Sequence, residues 1–234
     1  MSYAIIIPSK KATNLLDCID RLRSMEETGR IVVVWDGDQE PPREQVHKFG
    51  WVEFIPGVKP FVFARNINCG LRATGQYDVV LMNDDALLCT PRGLARLSSD
   101  CAHNPEYGVI ASSVDLCGTQ NQVHDIRPGL REEHVMLAFV CVYIPRTVIH
   151  EVGMLDERFG INAGGPGARG YGLEDDDFCW RVRQAGMKLG VQNDVLVNHT
   201  TLPSTFRSDK EHPANVFLHE ALFETKWGRH PRKP

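Results

Sequence analysis

Asp78-Val79-Val80-Leu81-Met82-Asn83-Asp84-Asp85 is the stretch from which the rest of the chain can be read. Val79 to Met82 are apolar at odd and even positions alike, so a strand built from them is covered on both faces and belongs in the middle of a sheet. Strands of that kind sit in α/β layers, with parallel neighbours beside them and helices above and below. This one ends in two adjacent carboxylates. Like charges disfavour each other's ionisation, so such a tip is costly unless a cation or a cationic ligand lies against it, and a metal ion is the expected partner. On pattern alone, a helix-capping Asp beside a solvated one explains the pair nearly as well.

Towards the N-terminus the same rhythm repeats. Strand-like runs at Ala4–Pro8, Ile31–Trp35 and Val52–Ile55 alternate with helical patterns at Asn14–Met25, near Arg43–Phe49, and from Val62 to Ala73. This predicts a mainly parallel sheet with helices on both faces. Asp36, followed by Gly37 and Asp38, closes the Ile31–Trp35 run; turn chemistry accounts for that tripeptide when it is taken alone. In an open α/β sheet, however, ligands bind outside the carboxyl ends of the strands, which would bring Pro8, Ser9, Asp36 and Asp84-Asp85 to one crevice.

Towards the C-terminus a helix after Pro91 runs to about Cys101, and strands are expected at Val109–Val114 and Val135–Ile144 around a polar insert. Ile161 to Gly172 is a Gly-rich loop. Its Gly165-Pro166-Gly167-Ala168-Arg169-Gly170 matches a dinucleotide-binding fingerprint in letters only, since it neither follows a strand nor opens a helix directly, and a lid is the better reading. Glu174-Asp175-Asp176-Asp177 then starts a helix that stops near Gly186. The helix dipole and an Asp177–Arg181 pair explain one or two of these acids. A carboxylate beside a mobile loop can also serve as a general base, which gives the remainder a chemical use. Val195–Val197 reads as a last strand before His199, a position more often filled by a satisfied polar residue than by a ligand. A closing helix from Asp209 to Trp227 precedes a basic end.

Composition sets the outer bounds. The 234 residues are 42% hydrophobic and 24% charged, the profile of a globular chain and not of a disordered or collagenous one. With 26 Lys and Arg against 30 Asp and Glu, the net charge of -4 offers no global attraction to nucleic acid or to an anionic membrane. Seven scattered cysteines without a C-x-x-C pair argue against a disulfide framework and a structural zinc site, and fit a reducing, cytoplasmic setting. The opening of the chain lacks the pattern of an export signal, and Val135–Ile144 is too short to span a bilayer, so no integral membrane segment is expected.

Taken in order, the pieces resemble the family 2 glycosyltransferases and their relatives with the GT-A fold. The resemblance is carried by Ile5-Ile6-Ile7-Pro8-Ser9, Val34-Trp35-Asp36-Gly37, Asn68 to Tyr77, Leu81-Met82-Asn83-Asp84-Asp85, Gly153 to Phe159, Glu174 to Arg181 with Gln184-Ala185-Gly186, and Val197-Asn198-His199. It implies one α/β domain of GT-A type, a Rossmann-like, mainly parallel central sheet flanked by helices, with a small acceptor-side subregion. Residues 1–105 would form the nucleotide-sugar half, 106–205 the acceptor and catalytic half, and 206–234 a C-terminal helix and tail.

The resemblance also implies roles. Pro8, Ser9, Asp36, Arg65, Asn68, Asn83 and Asp84 would contact a nucleotide-diphosphate sugar; Asp85 and His199 would hold a divalent cation, Mn2+ or Mg2+; Asp175, with Glu174, would act as catalytic base in an inverting transfer to an acceptor hydroxyl. Asn83 departs from the first acid of the D-x-D pattern. Donor nucleotide, acceptor (glycan, small molecule or nucleic acid) and oligomeric state stay open. Two other readings compete: a non-catalytic sugar-nucleotide-binding protein of the same fold, and a nucleotidyltransferase that makes sugar nucleotides. The second lacks its expected Gly-rich basic loop after Ile7-Pro8-Ser9-Lys10-Lys11.

Overall fold

The computed structural model describes residues 3–46, 50–59, 61–116, 122–160, 172–205 and 212–231. The first half is built from β1 (Tyr3–Ser9), α1 (Ala12–Ser24), β2 (Arg30–Trp35), α2 (Arg43–Val46), β3 (Val52–Pro56), α3 (Phe63–Ala73), β4 (Asp78–Met82), β5 (Leu87–Leu88) and α4 (Gly93–His103). The second half adds β6 (Tyr107–Val114), β7 (Leu130–Glu133), β8 (Cys141–Ile144), α5 (Arg146–Val152), α6 (Glu174–Gln184), β9 (Lys188–Asn198) and α7 (His212–Trp227). All strands join one sheet in the order β3-β2-β1-β4-β8-β6-β9-β5, with β7 on β9.

The apolar alternation of the strands decides where the core lies. Ile5, Ile7, Val80 and Met82 point to one face, where Leu15, Ile19 and Leu22 of α1 and Leu94 and Leu97 of α4 cover them. Ile6, Val79 and Leu81 point to the other and meet Ile67 and Leu71 of α3, Val148 and Ile149 of α5, and Phe178 and Val182 of α6. Helix α3 comes so close to β1 that a Cβ at Gly70 would collide with Ile6. That fit sets how closely the C-terminal half of α3 lies on β1.

β3-β2-β1-β4 and the β6–β9 pair are parallel, as expected. β8 is inserted antiparallel between β4 and β6, and β5 and β7 each run antiparallel to β9, so the second half is a mixed sheet. The expected strand Val135–Ile144 is also shorter than its apolar run: only Cys141–Ile144 pairs. Val135 is exposed, and 137–140 is a mostly buried loop whose backbone bonds go to side chains and to other loop backbone instead of a ladder. Leu137 N donates to Cys179 Sγ, and Ala138 N to Gln122 Oε1 at 2.9 Å. Apolarity reports burial, and this segment is buried without being a strand. No helix among the described residues is long and apolar enough to cross a membrane.

Candidate functional site

The parallel strands deliver Ser9, Asp36, Gly57 and Asn83-Asp84-Asp85 to the same edge of the sheet. Pairing of β1 with β4 ends at Ile6 opposite Leu81, two residues before Pro8, whose ring has no N–H to continue a ladder. Ser9, fully buried, then ties the tips together. Its carbonyl accepts from Asp36 N at 2.8 Å, and its hydroxyl donates to Asp84 Oδ2 at 2.6 Å. Asp84 Oδ2 also accepts from Thr205 Oγ1 at 2.8 Å, and Thr205 is held by Asn14 Nδ2 at 3.0 Å. The segment after β9 is thereby pinned across the strand tips. Burial pushes the Asp84 carboxyl up to about 7 against the opposing effect of the two hydroxyls, with the charge of Asp85 adding to the rise.

Asp85 Oδ1 lies 3.2 Å from His199 Nε2. Burial alone would lower the imidazole pKa, but the hydrogen bond and charge of Asp85 outweigh it and the pKa is raised. The other ring nitrogen, Nδ1, lies 3.3 Å from Leu116 O, so both ring nitrogens face oxygen acceptors, an arrangement that favours the imidazolium with Nε2 donating to Asp85. The backbone of His199 is fixed by Asp115: Oδ1 accepts from His199 N at 2.7 Å, and Oδ2 accepts from Asn198 Nδ2 and from the Thr200 hydroxyl. A carboxylate beside an imidazole that Asp115 and Leu116 hold in place is what a metal site of mixed ligands requires. Among the described residues no three His, Cys, Asp or Glu side chains converge, so an ion here would take further ligands from a substrate or water.

Asn83 contributes through its backbone: its N–H donates to Val140 O at 2.9 Å, and its carbonyl accepts from Ala86 N at 3.2 Å. Arg65 and Asn68, which the resemblance places on the donor, both reach the 155–157 segment. Asn68 brackets Leu155, accepting from its N–H at 3.1 Å and donating to its carbonyl at 2.9 Å and to Glu157 at 3.0 Å. Arg65 Nε lies 3.4 Å from the same Glu157. The Asn68 amide thereby holds the 153–159 segment against α3.

The acidic run separates by orientation. Its helix begins after Leu173 in the left-handed region (φ 66°), preceded by Gly172 at φ 135°. Glu174 turns inward and accepts from Gly172 N; burial, then repulsion by Asp175, raises its carboxyl well above the ordinary range. Asp176 is buried. Asp177 is 0% exposed and accepts from Arg181 Nε at 3.0 Å, Lys226 Nζ at 2.6 Å and Trp227 Nε1 at 2.8 Å. Asp175 alone in the run is half-buried. One turn on, Cys179 bonds Leu137, whose segment leads at Val140 to Asn83; that buried loop joins the base of α6 to the β4 tip. The Gly-rich stretch 161–171, read as a lid, lies outside the described residues.

Glu174 provides a direct measurement of this arrangement. A carboxyl whose folded pKa is raised keeps its proton where the unfolded chain has lost it, so it costs stability above its unfolded pKa, about 4.3, and nothing below. Glu174→Gln should therefore melt higher than the parent at pH 8 and equally at pH 4. A lower melting temperature at pH 8 would show that Glu174 is buried as a charge.

Sequence reasoning missed Asp115, Thr205, Asn14, Gly57, Asn66 and Lys226. Asp115 was open to it, because it follows the parallel strand β6 as Asp36 follows β2. The others are joined to the site only by contacts distant in sequence.

No family model matches the chain, and no curated protein matches it by sequence. Solved structures do. The crystal structure of GalNAc-T7 with UDP, GalNAc and Mn2+ superposes with a TM-score of 0.69 at 12% identity, over 94% of this chain and 48% of that one. The mannosyltransferase PcManGT from Pyrobaculum calidifontis, in complex with GDP-Man and Mn2+, gives 0.69 at 14% identity, over 98% of this chain and 65% of that one. The chain thus spans about half to two thirds of these proteins, with which it shares the GT-A fold.

Proposed function

We propose that this chain transfers a sugar from a nucleoside-diphosphate sugar to an acceptor hydroxyl, with inversion at the anomeric carbon and with a divalent cation as cofactor. The observation that supports this most is the Asp85–His199 pair, 3.2 Å apart beside a doubly hydrogen-bonded Asp84, at the carboxyl ends of parallel strands. Both structural neighbours carry Mn2+ with a nucleotide or nucleotide sugar, which agrees with that assignment.

Asp85 and His199 would hold the ion, Mn2+ or Mg2+, with the diphosphate filling the rest of its shell. When bound, it supplies positive charge against the departing diphosphate. Ser9, Asp36 and Asp84 would seat the nucleoside, with Arg65 and the backbone of Asn83 alongside. Asp175 would accept the proton of the acceptor hydroxyl while that oxygen bonds to the anomeric carbon; the bond from that carbon to the diphosphate oxygen breaks, and its electron pair leaves with the diphosphate. Glu174, buried and turned away, shapes the first turn of α6 and does not meet the acceptor.

Calorimetry with UDP and GDP, with and without Mn2+, tests the reading. Binding should strengthen with the ion in the parent protein, and Asp85→Ala should lose most of that gain while retaining its weaker ion-independent affinity. Equal affinity with and without Mn2+ in the parent would remove the metal assignment.

A further inference from the structure

Strands β6 and β9 change register near their tips. Ser112 pairs with Gln192, but the next residue, Ser113, pairs with Leu196, so Asn193, Asp194 and Val195 bulge out of β9 with no counterpart on β6. The bulge is held from both sides. Buried Ser113 donates its hydroxyl between the carbonyls of Asn193, at 3.2 Å, and Val195, at 3.1 Å. On the outer side Gly129 N donates to Asp194 Oδ1 at 3.1 Å, and Gly129 O accepts from Asn193 N at 3.0 Å. Bulges of this kind re-aim side chains beside functional sites. Here Val114 pairs with Val197, so the shifted register sets Asp115 level with Asn198 and Leu116 level with His199. In the unshifted register Leu116 would face Leu196, and His199 would overrun the strand tips.

We propose that Asp115 is the positioning residue of the His199 imidazole and thereby sets the affinity of the strand-tip site for its cation. The inference rests on the metal reading of the Asp85–His199 pair. An ionised carboxylate only accepts, with room for about four hydrogen bonds. Asp115 meets donors on both oxygens: Oδ1 takes Leu116 N at 2.8 Å and His199 N at 2.7 Å, and Oδ2 takes Asn198 Nδ2 at 2.7 Å and the Thr200 hydroxyl. The residue that carries the ring and both of its neighbours in sequence are thus tied to one side chain. The ring itself is met at Nδ1 by Leu116 O, on the residue next to Asp115. On the other side of β9, the β5 ladder ends with Leu87 opposite Asn198; it sets the spacing of the chains but stops short of His199. The direction of the imidazole towards Asp85 is therefore left to Asp115 and Leu116. Removing an outer contact of a ligating imidazole typically costs 10–100-fold in metal affinity.

The test is calorimetry of UDP and of GDP, without Mn2+ and over a series of Mn2+ concentrations, on the parent protein, Asp115→Ala, Asp115→Asn, His199→Ala and the double variant Asp115→Ala with His199→Ala. Asp115→Ala should raise the Mn2+ concentration that gives half of the affinity gain by roughly tenfold to a hundredfold, with the ion-free affinity unchanged. Asp115→Asn keeps an oxygen for the two backbone N–H groups but turns a donor towards Asn198 and Thr200, so its shift should fall between those of the parent and Asp115→Ala. On the His199→Ala background Asp115→Ala should add nothing, because it acts through the ring that is already gone. The idea is overturned if Asp115→Ala keeps the Mn2+ requirement of the parent, if it weakens ion-free and ion-dependent binding by the same factor, the mark of a general loosening, or if its effect persists in full without His199. Where Asp115→Ala does not fold, Asp115→Asn decides, and an unshifted Mn2+ requirement overturns the idea. A parent whose affinity for neither nucleotide responds to Mn2+ would instead remove the metal reading, and this inference with it.

Discussion

Asp175→Asn should lower kcat by roughly a hundredfold to ten-thousandfold, the usual contribution of a positioned general base, while leaving Mn2+-dependent nucleotide affinity unchanged. The change is nearly isosteric, so the first turn of α6 keeps its shape and only the capacity to take a proton is lost. Exposure singles out Asp175, the one half-buried member of the four acids. Glu174 faces the interior with its carboxyl tied to Gly172 N, Asp176 is buried, and Asp177 is saturated by Arg181, Lys226 and Trp227. Steady-state kinetics with a hydrolysable donor, beside calorimetry of the same variant, separates the two quantities. Turnover within about threefold of the parent would dismiss Asp175 as the base and shift attention to an acceptor-derived or solvent base.

The strand tips were legible in sequence because burial and chemistry leave separate local marks there. A run such as Ile31 to Trp35 has no polar face, so the acid that follows it can only be at an edge, and the parallel topology collects such edges on one side. His199 was legible for the same reason, at the end of β9. What local pattern cannot carry is the partner of a side chain. Asn68 sits in a motif read as ligand-binding, yet its amide is spent on Leu155, 87 residues away. Nothing beside Thr205 announces that it reaches Asp84, 121 positions earlier. Val135–Ile144 failed differently: its apolarity was real, but half of the run is covered by Gln122 and Cys179 and not by neighbouring strands. The two-residue β5 is too short to produce a periodicity at all.

Lys226→Met should destabilise the fold by about 3 kcal/mol, the low end for removing one partner of a buried ion pair. For a chain of this size that corresponds to a melting temperature lower by roughly 6–12 °C. Asp177 has no access to water, so its charge depends on the three donors around it. Lys226 Nζ at 2.6 Å is the closest of them, and it also neutralises Asp156 at 2.8 Å. Arg181 and Trp227 remain in the variant, which holds the loss to the low end. Asp156, which Arg158 and Lys226 keep below the usual carboxylate range despite its burial, would lose one of its two cations as well.

The alternative is that α7 is held by apolar packing alone, through Phe223 on Phe159 and Trp227 on Trp180, with the ion pair incidental. A double-mutant cycle separates the two. If the charge pair matters, Asp177→Leu and Lys226→Met together should cost less than the sum of the single changes, because each single variant strands a buried charge and the double variant strands fewer. Strict additivity would place the stability of α7 in its aromatic contacts. The position of α7 bears on the chemistry because Asp177 is on the first turn of the helix that presents Asp175. Loosening that turn should lower kcat for the proposed transfer before it affects nucleotide affinity, whose side chains lie at the strand tips and make no contact with Lys226.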